Sequence, residues 1–229
     1  MTPDFSAAER TALYRAIALR RDVRAEFSGD PVPDEVLERV LDAAHHAPSV
    51  GLSQPWRFIV VRSLETRRSV HDAFRRANAE AATDYDAQTA SQYEALRLQG
   101  ILDAPVGICV TCDDDPQRGN GLGRRTMPET ARYSTVCAIQ NLWLAARVEG
   151  LGVGWVSIVE PDELRTLLEI PKDVAVVAYL CVGYVTHFAP VADLERDRWE
   201  TRAPLTDVVD YERYGGRAVT VSSAINEKA

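Results

Sequence analysis

The sequence is poor in lysine and carries no excess of positive charge. Lys172 and Lys228 are the only lysines among 26 basic residues, and 34 acidic residues give a formal net charge of −8 at pH 7. A chain with this balance has no broad positive field with which to attract phosphates. The composition therefore argues against a general nucleic-acid-binding protein, and any basic cluster in it indicates a local site.

Long apolar runs are also missing. No stretch is long enough to cross a bilayer, and residues Met1–Ser6 have neither the basic region nor the apolar run of a signal peptide. We therefore expect a cytoplasmic protein without a membrane partner. The 229 residues include 46% hydrophobic and 26% charged residues, which is ordinary globular composition.

Cysteine and histidine each occur only four times, and neither forms a reactive pattern. The cysteines are Cys109, Cys112, Cys137 and Cys181. Cys109 and Cys112 are spaced like a redox pair, but residues three apart on a strand point to opposite faces. We expect all four to be small buried hydrophobes. The histidines show no ligand spacing with acids or cysteines, so no metal site is predicted.

Apolar periodicity and turn residues predict one α+β domain over residues 1–213, followed by a flexible tail over residues 214–229. Ser6 and Glu9 form a capping-box pattern at the first helix. The predicted helices are Ser6–Leu19, a second one capped by Asp34, two pieces between Leu64 and Gly100, Tyr133–Glu149 and Pro161–Ile170. The predicted strands are Arg57–Arg62, Val106–Cys112, Val153–Val159 and Val174–Val185. Tyr133–Glu149 is apolar nearly all round, which predicts a central helix.

Three arginines and one carboxylate follow the first helix. Arg20, Arg21 and Arg24 can hold a phosphate through charge-assisted, bidentate hydrogen bonds. Asp22 does not help to hold an anion. Either it neutralises the arginines or it has chemistry of its own. A solvated helix face is the alternative for such a run, but its density and its place at a helix end favour an anion site.

Two further segments suit a planar ligand. The loop Ala47–Trp56 gathers Ser49, Ser53 and Gln54 beside the flat ring of Trp56, which fits a heteroaromatic ring with polar edges. The alternative is a tight connection between a helix and a strand. In Gly152–Ser157, Gly154 permits either close packing of the chain or close approach of a planar ligand. This segment is not a dinucleotide fingerprint, because the glycine spacing is wrong.

In order and spacing, these three segments resemble the nitroreductase-like flavoprotein superfamily, over roughly Arg10 to Leu205. Within this superfamily, the sequence resembles the 5,6-dimethylbenzimidazole synthase branch. Two residues carry this resemblance, Asp22 within the arginine cluster and Ser157. Ordinary nitroreductases usually carry a serine-like residue in the place of Asp22. The resemblance implies a central, mostly antiparallel sheet flanked by helices. It also implies a homodimer with exchanged terminal segments, in which each site for flavin mononucleotide (FMN) is built from both chains.

The resemblance to this branch implies that reduced FMN is the substrate and dioxygen the co-substrate. The products are 5,6-dimethylbenzimidazole, the lower ligand of vitamin B12, and erythrose 4-phosphate, and a separate flavin reductase supplies the reduced FMN. Asp22 and Ser157 are then catalytic, with Asp22 as general base or acid. The implied flavin-binding residues are Arg20, Arg21, Asp22, Val23, Arg24, Ser49, Gln54, Trp56, Gly154 and Ser157. Two alternatives stay open: a nicotinamide-dependent nitroreductase or flavin oxidoreductase, and a non-catalytic flavin-binding module.

Overall fold

The computed structural model describes residues 4–216. The chain forms two compact units, the first ending at Asp193 and the second beginning at Leu194. Most of the predicted tail, including Ser222–Ala229, lies outside the described residues. The prediction of a single domain over residues 1–213 with a flexible tail stays a prediction.

A four-stranded sheet forms the centre of the first unit, and its strands pair antiparallel in the order β1-β2-β4-β3. The strands are β1 (Trp56–Val61), β2 (Val106–Asp113), β3 (Leu151–Val156) and β4 (Val174–Tyr184). One isolated parallel bridge joins Asp22 to Val153, beside β3. The predicted mostly antiparallel sheet flanked by helices is confirmed.

The helices are α1 (Ala7–Leu19), α2 (Asp34–His45), α3 (Leu64–Ala81), α4 (Ala87–Ala95), α5 (Thr130–Val148), α6 (Pro161–Leu167) and the short α7 (Asp193–Arg196). The capping box predicted for α1 is present, with both reciprocal hydrogen bonds between Ser6 and Glu9. The prediction that Asp34 caps α2 is wrong. Pro33 occupies the cap position, and Asp34 is the first helical residue. At that position its negative charge interacts favourably with the positive end of the helix dipole. Its Oδ1 also accepts a hydrogen bond from Arg62 at 2.6 Å.

The sheet is covered on both faces, and alternate residues of its central strands enter different cores. Ile108 of β2 packs with α2 and α5, whereas Cys109 faces the core that includes residues of α3 and α6. Because both faces are buried, β2 is a nearly continuous apolar run, as the sequence indicated. No helix in the described part of the chain is long and apolar enough to span a membrane.

Two helices leave apolar surface uncovered. None of the residues of α1 is buried, although this helix carries Leu13, Tyr14 and Ile17. On α5, Ile139 and Leu142 are fully buried, but Tyr133 and Val136 are 55% and 42% exposed. The predicted central helix thus packs on the sheet and on α2 with one face, while its other face stays exposed in the described chain.

Three of the four cysteines are buried as expected, and one is not. Cys109, Cys112 and Cys181 lie in the cores, where burial raises the pKa of the Cys109 and Cys181 thiols to about 12. Cys137 is exposed on the outward face of α5, so the prediction of four buried cysteines is wrong for this residue.

The second unit is described from Leu194 to Gly216. Its start is tied by the Trp199 amide, which donates to the Leu194 carbonyl at 2.8 Å, and a short 3-10 turn follows over Leu205–Asp207. Leu205 is 75% exposed. Regular structure is scarce in the described part of this unit.

The packing of α5 against the sheet gives a stability prediction. Replacing the fully buried Leu142 by alanine removes apolar contacts and leaves a cavity. We expect Leu142→Ala to lower the free energy of unfolding by about 2–5 kcal/mol. Leu64→Ala, at a position 44% exposed, is the matched control, with an expected change below about 1 kcal/mol. Urea denaturation of both variants measures this, and equal losses would contradict the assignment of the core.

Candidate active site

The Asp22 carboxylate is fixed against the edge of the sheet. After α1 the chain runs extended beside β3, where the Val23 amide donates to the Val153 carbonyl at 3.0 Å. Asp22 Oδ1 accepts a hydrogen bond from the Trp155 amide at 2.8 Å. A carboxylate held by a strand amide has a defined position, as a group that transfers protons requires.

Arg24 occupies the other oxygen of this carboxylate. Its Nε and Nη2 both lie 2.8 Å from Asp22 Oδ2, and the two side chains are 15% and 27% exposed. Asp22 therefore neutralises the charge of Arg24, which is one of the two roles that the sequence allowed for this carboxylate. In the described chain, Arg24 Nη1 is buried without a hydrogen-bond partner. A buried donor left unpaired is costly, so this atom indicates a place for an acceptor.

The other two arginines have different surroundings. Arg21 donates from Nε to the Ala189 carbonyl at 3.0 Å and from Nη1 to the carbonyls of Ala18 and Arg20 at 2.9 and 2.7 Å. These bonds tie the end of α1 to the segment after β4. The Arg20 guanidinium lies 4.8 Å from the centre of the Trp143 ring on α5. The sequence groups the three arginines as one phosphate site, but in the fold each guanidinium has different neighbours.

Two glycines let this segment lie against β3. A Cβ on Gly154 would lie 2.1 Å from the Val23 carbonyl oxygen, and one on Gly152 would lie 2.5 Å from Val185 Cγ1. Gly154 therefore permits close packing of the chain, which was one of the two roles that the sequence allowed for it. A flavin contact of Gly154 or of Val23, which is itself buried, stays a prediction.

Ser157 lies at the same end of β3 as Asp22. It is exposed and follows Trp155, whose amide binds Asp22, by two residues, a span of about 7 Å along an extended chain. The fold thus brings to one strand end the two residues that distinguish the branch in sequence.

The Ser49–Gln54 turn is held by hydrogen bonds to its own side chains and to α5. Ser49 Oγ accepts a hydrogen bond from the Gln54 amide at 3.1 Å, and the Val50 amide donates to Ser134 Oγ at 3.1 Å. Gln54 adopts a left-handed φ of 47°, and Leu52 one of 54°. Strained turns of this kind cluster at functional sites.

Trp56 has a core position. It is 7% exposed, packs with Ala47 and Ala138, and donates its indole N–H to His45 Nδ1 at 3.2 Å. Sequence reasoning missed this role of His45. It also missed Arg118, whose Nη2 lies 2.9 Å from Gln54 Oε1. His45 lies eleven residues before its partner Trp56, and Arg118 belongs to a loop without a recognisable motif. No local sequence pattern therefore indicated either contact.

The two halves of the predicted site lie apart within one chain. Helix α5 contacts both: Ser134 binds Val50, and the Trp143 indole donates to the Arg21 carbonyl at 3.1 Å. These two positions on α5 are nine residues apart, which is about 13 Å along a helix axis. The arginine segment and the Ser49–Gln54 turn therefore contact α5 at separate positions along its length. Among residues 4–216, no group of three histidine, cysteine or acidic residues is arranged to hold a metal ion.

Comparison with known proteins identifies the class. The family model named Nitroreductase family matches residues 17–184. Iodotyrosine deiodinase, solved with FMN and 3-iodo-L-tyrosine, superposes with a TM-score of 0.71 at 21% identity and covers 88% of this chain and 100% of its own. At this identity, the likeness to that structure shows the fold. The chain belongs to the Nitroreductase family.

Within the family, the most informative relatives are 5,6-dimethylbenzimidazole synthases. The one from Rhodospirillum rubrum is 45% identical over 202 residues, 88% of this chain and 95% of the relative. A second, from Rhodobacter capsulatus, is 41% identical over 201 residues, 88% of this chain and 97% of the relative. The predicted resemblance to this branch is confirmed, as is the prediction of an enzyme.

The fit of Gly154 against Val23 gives a second prediction. Gly154→Ala places a methyl group on the Val23 carbonyl, and we expect a loss of about 1–3 kcal/mol in unfolding free energy. Because the displaced segment carries Asp22, the Trp155 amide should also exchange faster with solvent. Gly150→Ala is the control, since its Cβ would meet nothing within 4 Å although its φ is 79°. Because of this left-handed φ it should cost about 1 kcal/mol, without changing exchange at Trp155. Unchanged exchange in Gly154→Ala would refute the fit.

Proposed function

We propose that this enzyme fragments reduced FMN with dioxygen to yield 5,6-dimethylbenzimidazole and erythrose 4-phosphate, with the pyrimidine part of the flavin ring released as a third fragment. The name of its 45% identical relative supports this. The observation that carries the proposal is the Asp22 carboxylate, held by the Trp155 amide and Arg24 at the strand end that leads to Ser157. Hydride transfer to and from a recycled flavin does not need a carboxylate in that place.

The residues present fit a phosphorylated flavin. The unpartnered Nη1 of Arg24 is a buried cationic donor, and charged hydrogen bonds to oxygen acceptors are strong. Arg24 and Arg20 would hold the phosphate and its chain, while Ser49 and Gln54 would contact the polar edges of the ring. Arg21 donates to backbone carbonyls, so its contribution would be to orient the segment.

When bound, reduced flavin supplies the electrons that reduce dioxygen. Asp22 would move a proton at the ribityl carbon that becomes part of the benzimidazole. Both of its oxygens already accept hydrogen bonds, which fixes the orientation of the carboxylate. Oδ2 accepts two, from Nε and Nη2 of Arg24, whereas Oδ1 accepts one, from the Trp155 amide, and so has a lone pair left for a proton. Ser157, exposed directly after β3, would orient the flavin ring with its hydroxyl.

The same proposal includes a homodimer with exchanged terminal segments. The apolar surfaces of α1 and α5 exposed in one chain and the separation of the two half-sites along α5 both support completion of each site by a second copy. Large exposed apolar patches usually mark such interfaces. A separate flavin reductase would supply the reduced FMN.

One experiment separates this function from the alternatives. The protein is mixed anaerobically with chemically reduced FMN, exposed to air, and the products are analysed by mass spectrometry. We expect 5,6-dimethylbenzimidazole. In a parallel reaction, the protein is supplied with FMN and a reduced nicotinamide cofactor. Steady nicotinamide oxidation there, without 5,6-dimethylbenzimidazole in either reaction, would identify a nitroreductase or flavin oxidoreductase, which membership of the family makes the principal alternative. Tight FMN binding without either turnover would identify a flavin-binding module.

Asp22→Asn tests the proton-transfer role. The amide keeps the size of the side chain but removes the base, so we expect product formation to fall by about 100-fold or more and FMN affinity to change little. Product is followed by mass spectrometry and FMN binding by fluorescence quenching. Asp103→Asn, at a carboxylate 41% exposed, is the control and should keep the parental rate. A near-parental rate in Asp22→Asn would end the assignment of Asp22 as base.

Arg24→Ala tests the binding of the flavin phosphate. Loss of a charged hydrogen bond should weaken FMN binding by about 10-fold or more, with a smaller effect on riboflavin, which lacks the phosphate. Arg68→Ala, at an exposed position of α3, should leave both affinities within about 2-fold. Dissociation constants from flavin fluorescence give the comparison. Equal affinity of the parent protein for riboflavin and FMN would refute the phosphate role.

A further inference from the structure

The loop between β2 and α5 contacts the Ser49–Gln54 turn at two points and Pro55, directly after the turn, at a third. At its root, the Asp113 amide donates to the Pro55 carbonyl at 2.9 Å. In its middle, Arg118 Nη2 donates to Gln54 Oε1 at 2.9 Å. At its tip, Gly119 lies against Gly51. No sequence motif indicated a role for this loop.

The Gly51–Gly119 contact requires both glycines. A Cβ on Gly119 would lie 2.4 Å from the Gly51 carbonyl oxygen, and one on Gly51 would lie 3.1 Å from the Gly119 oxygen. Both residues also have a left-handed φ, 57° at Gly51 and 78° at Gly119. The loop itself is braced by Arg124, which is 12% exposed and donates to Asp115 Oδ1 at 2.9 Å. Arg118 is therefore presented to Gln54 by a well-supported loop.

The contact with Arg118 decides which end of the Gln54 amide faces which neighbour. A guanidinium only donates hydrogen bonds, so Gln54 must turn its oxygen towards Arg118. The amide nitrogen then lies 3.4 Å from His45 Nε2. The Trp56 indole N–H can only donate a hydrogen bond, so His45 Nδ1 must accept it. A neutral His45 ring therefore carries its proton on Nε2.

In this arrangement two donors, Gln54 Nε2 and His45 Nε2, face each other. Rotation of the amide by half a turn would give its oxygen to His45 and its nitrogen to Arg118. The Gln54 amide thus has two competing donors as neighbours, and it can turn its oxygen to only one of them. Removal of Arg118 therefore favours the rotated amide.

We propose that Arg118 is a positioning residue that holds the Gln54 amide oxygen, so that Gln54 offers its NH2 group to the acceptor edge of the bound ring. This inference rests on the proposed flavin binding. A flavin presents carbonyl oxygens and ring nitrogens as acceptors, and a donor held in one orientation binds them at a lower entropic cost than one that alternates.

The test is a double-mutant cycle on the affinity of the full chain for oxidised FMN, measured by fluorescence quenching. Arg118→Ala should weaken binding by about 3- to 10-fold in the parent protein. In a Gln54→Ala background the same change should have an effect below about 2-fold, because the group through which Arg118 acts is gone. Arg125→Ala, an exposed arginine of the same loop, is the matched control and should leave affinity within about 2-fold.

Two conservative variants distinguish positioning from a general structural effect. Arg118→Lys keeps a donor and should recover most of the affinity. Gln54→Glu keeps the acceptor for Arg118 but lacks the NH2 group, and it should bind FMN more weakly although its loop contact is retained. Thermal unfolding should be nearly equal for all these variants.

The outcomes separate this inference from the proposed function. Equal losses on Arg118→Ala in both backgrounds, or no loss in the parent, would overturn the positioning role alone. Coupling in FMN affinity without formation of 5,6-dimethylbenzimidazole would support the positioning role and refute the proposed reaction. Failure of the parent chain to bind FMN would overturn both.

Discussion

The hydrogen bond from the Trp155 amide to Asp22 Oδ1 connects the sheet to the chemistry proposed for this protein. It forms because Gly154 lacks a Cβ, so that the Val23 carbonyl lies where a side chain would otherwise be. Arg24 then neutralises the carboxylate and retains one buried, unpaired nitrogen. A single close approach between a chain segment and a strand edge thereby places an acid, a cation and, through β3, the Ser157 hydroxyl at one end of the sheet.

Helix α5 organises the rest. Its buried face packs on the sheet, while Ser134 and Trp143 bind the two segments predicted to hold the flavin. Because these contacts are separated by more than two helical turns, the two segments lie at different positions along α5. Apolar side chains of α1 and α5, among them Leu13, Tyr14 and Val136, remain exposed in the described chain.

The contacts around Gln54 show how a polar side chain is oriented without local sequence information. Its backbone is strained, with a left-handed φ of 47°, and its amide lies between two donors. The orientation follows from what each neighbour is able to do: Arg118 and the Trp56 indole only donate, whereas His45 accepts at one nitrogen. Such a network is specified by atoms from three separate stretches of chain, so each member has an unremarkable sequence context of its own.

The sequence alone determined the α+β class, the positions of the main helices and strands, the capping box of α1, and the residue types of the candidate site. These follow from local periodicity, turn chemistry and motif spacing, which act over a few residues. Only the tertiary structure decided that Gly154 accommodates the Val23 carbonyl, that Arg21 donates to backbone carbonyls while Arg24 pairs with Asp22, and that Cys137 is exposed. It also showed Arg118 beside Gln54. These are contacts between residues distant in sequence, and they depend on which surfaces the fold brings together.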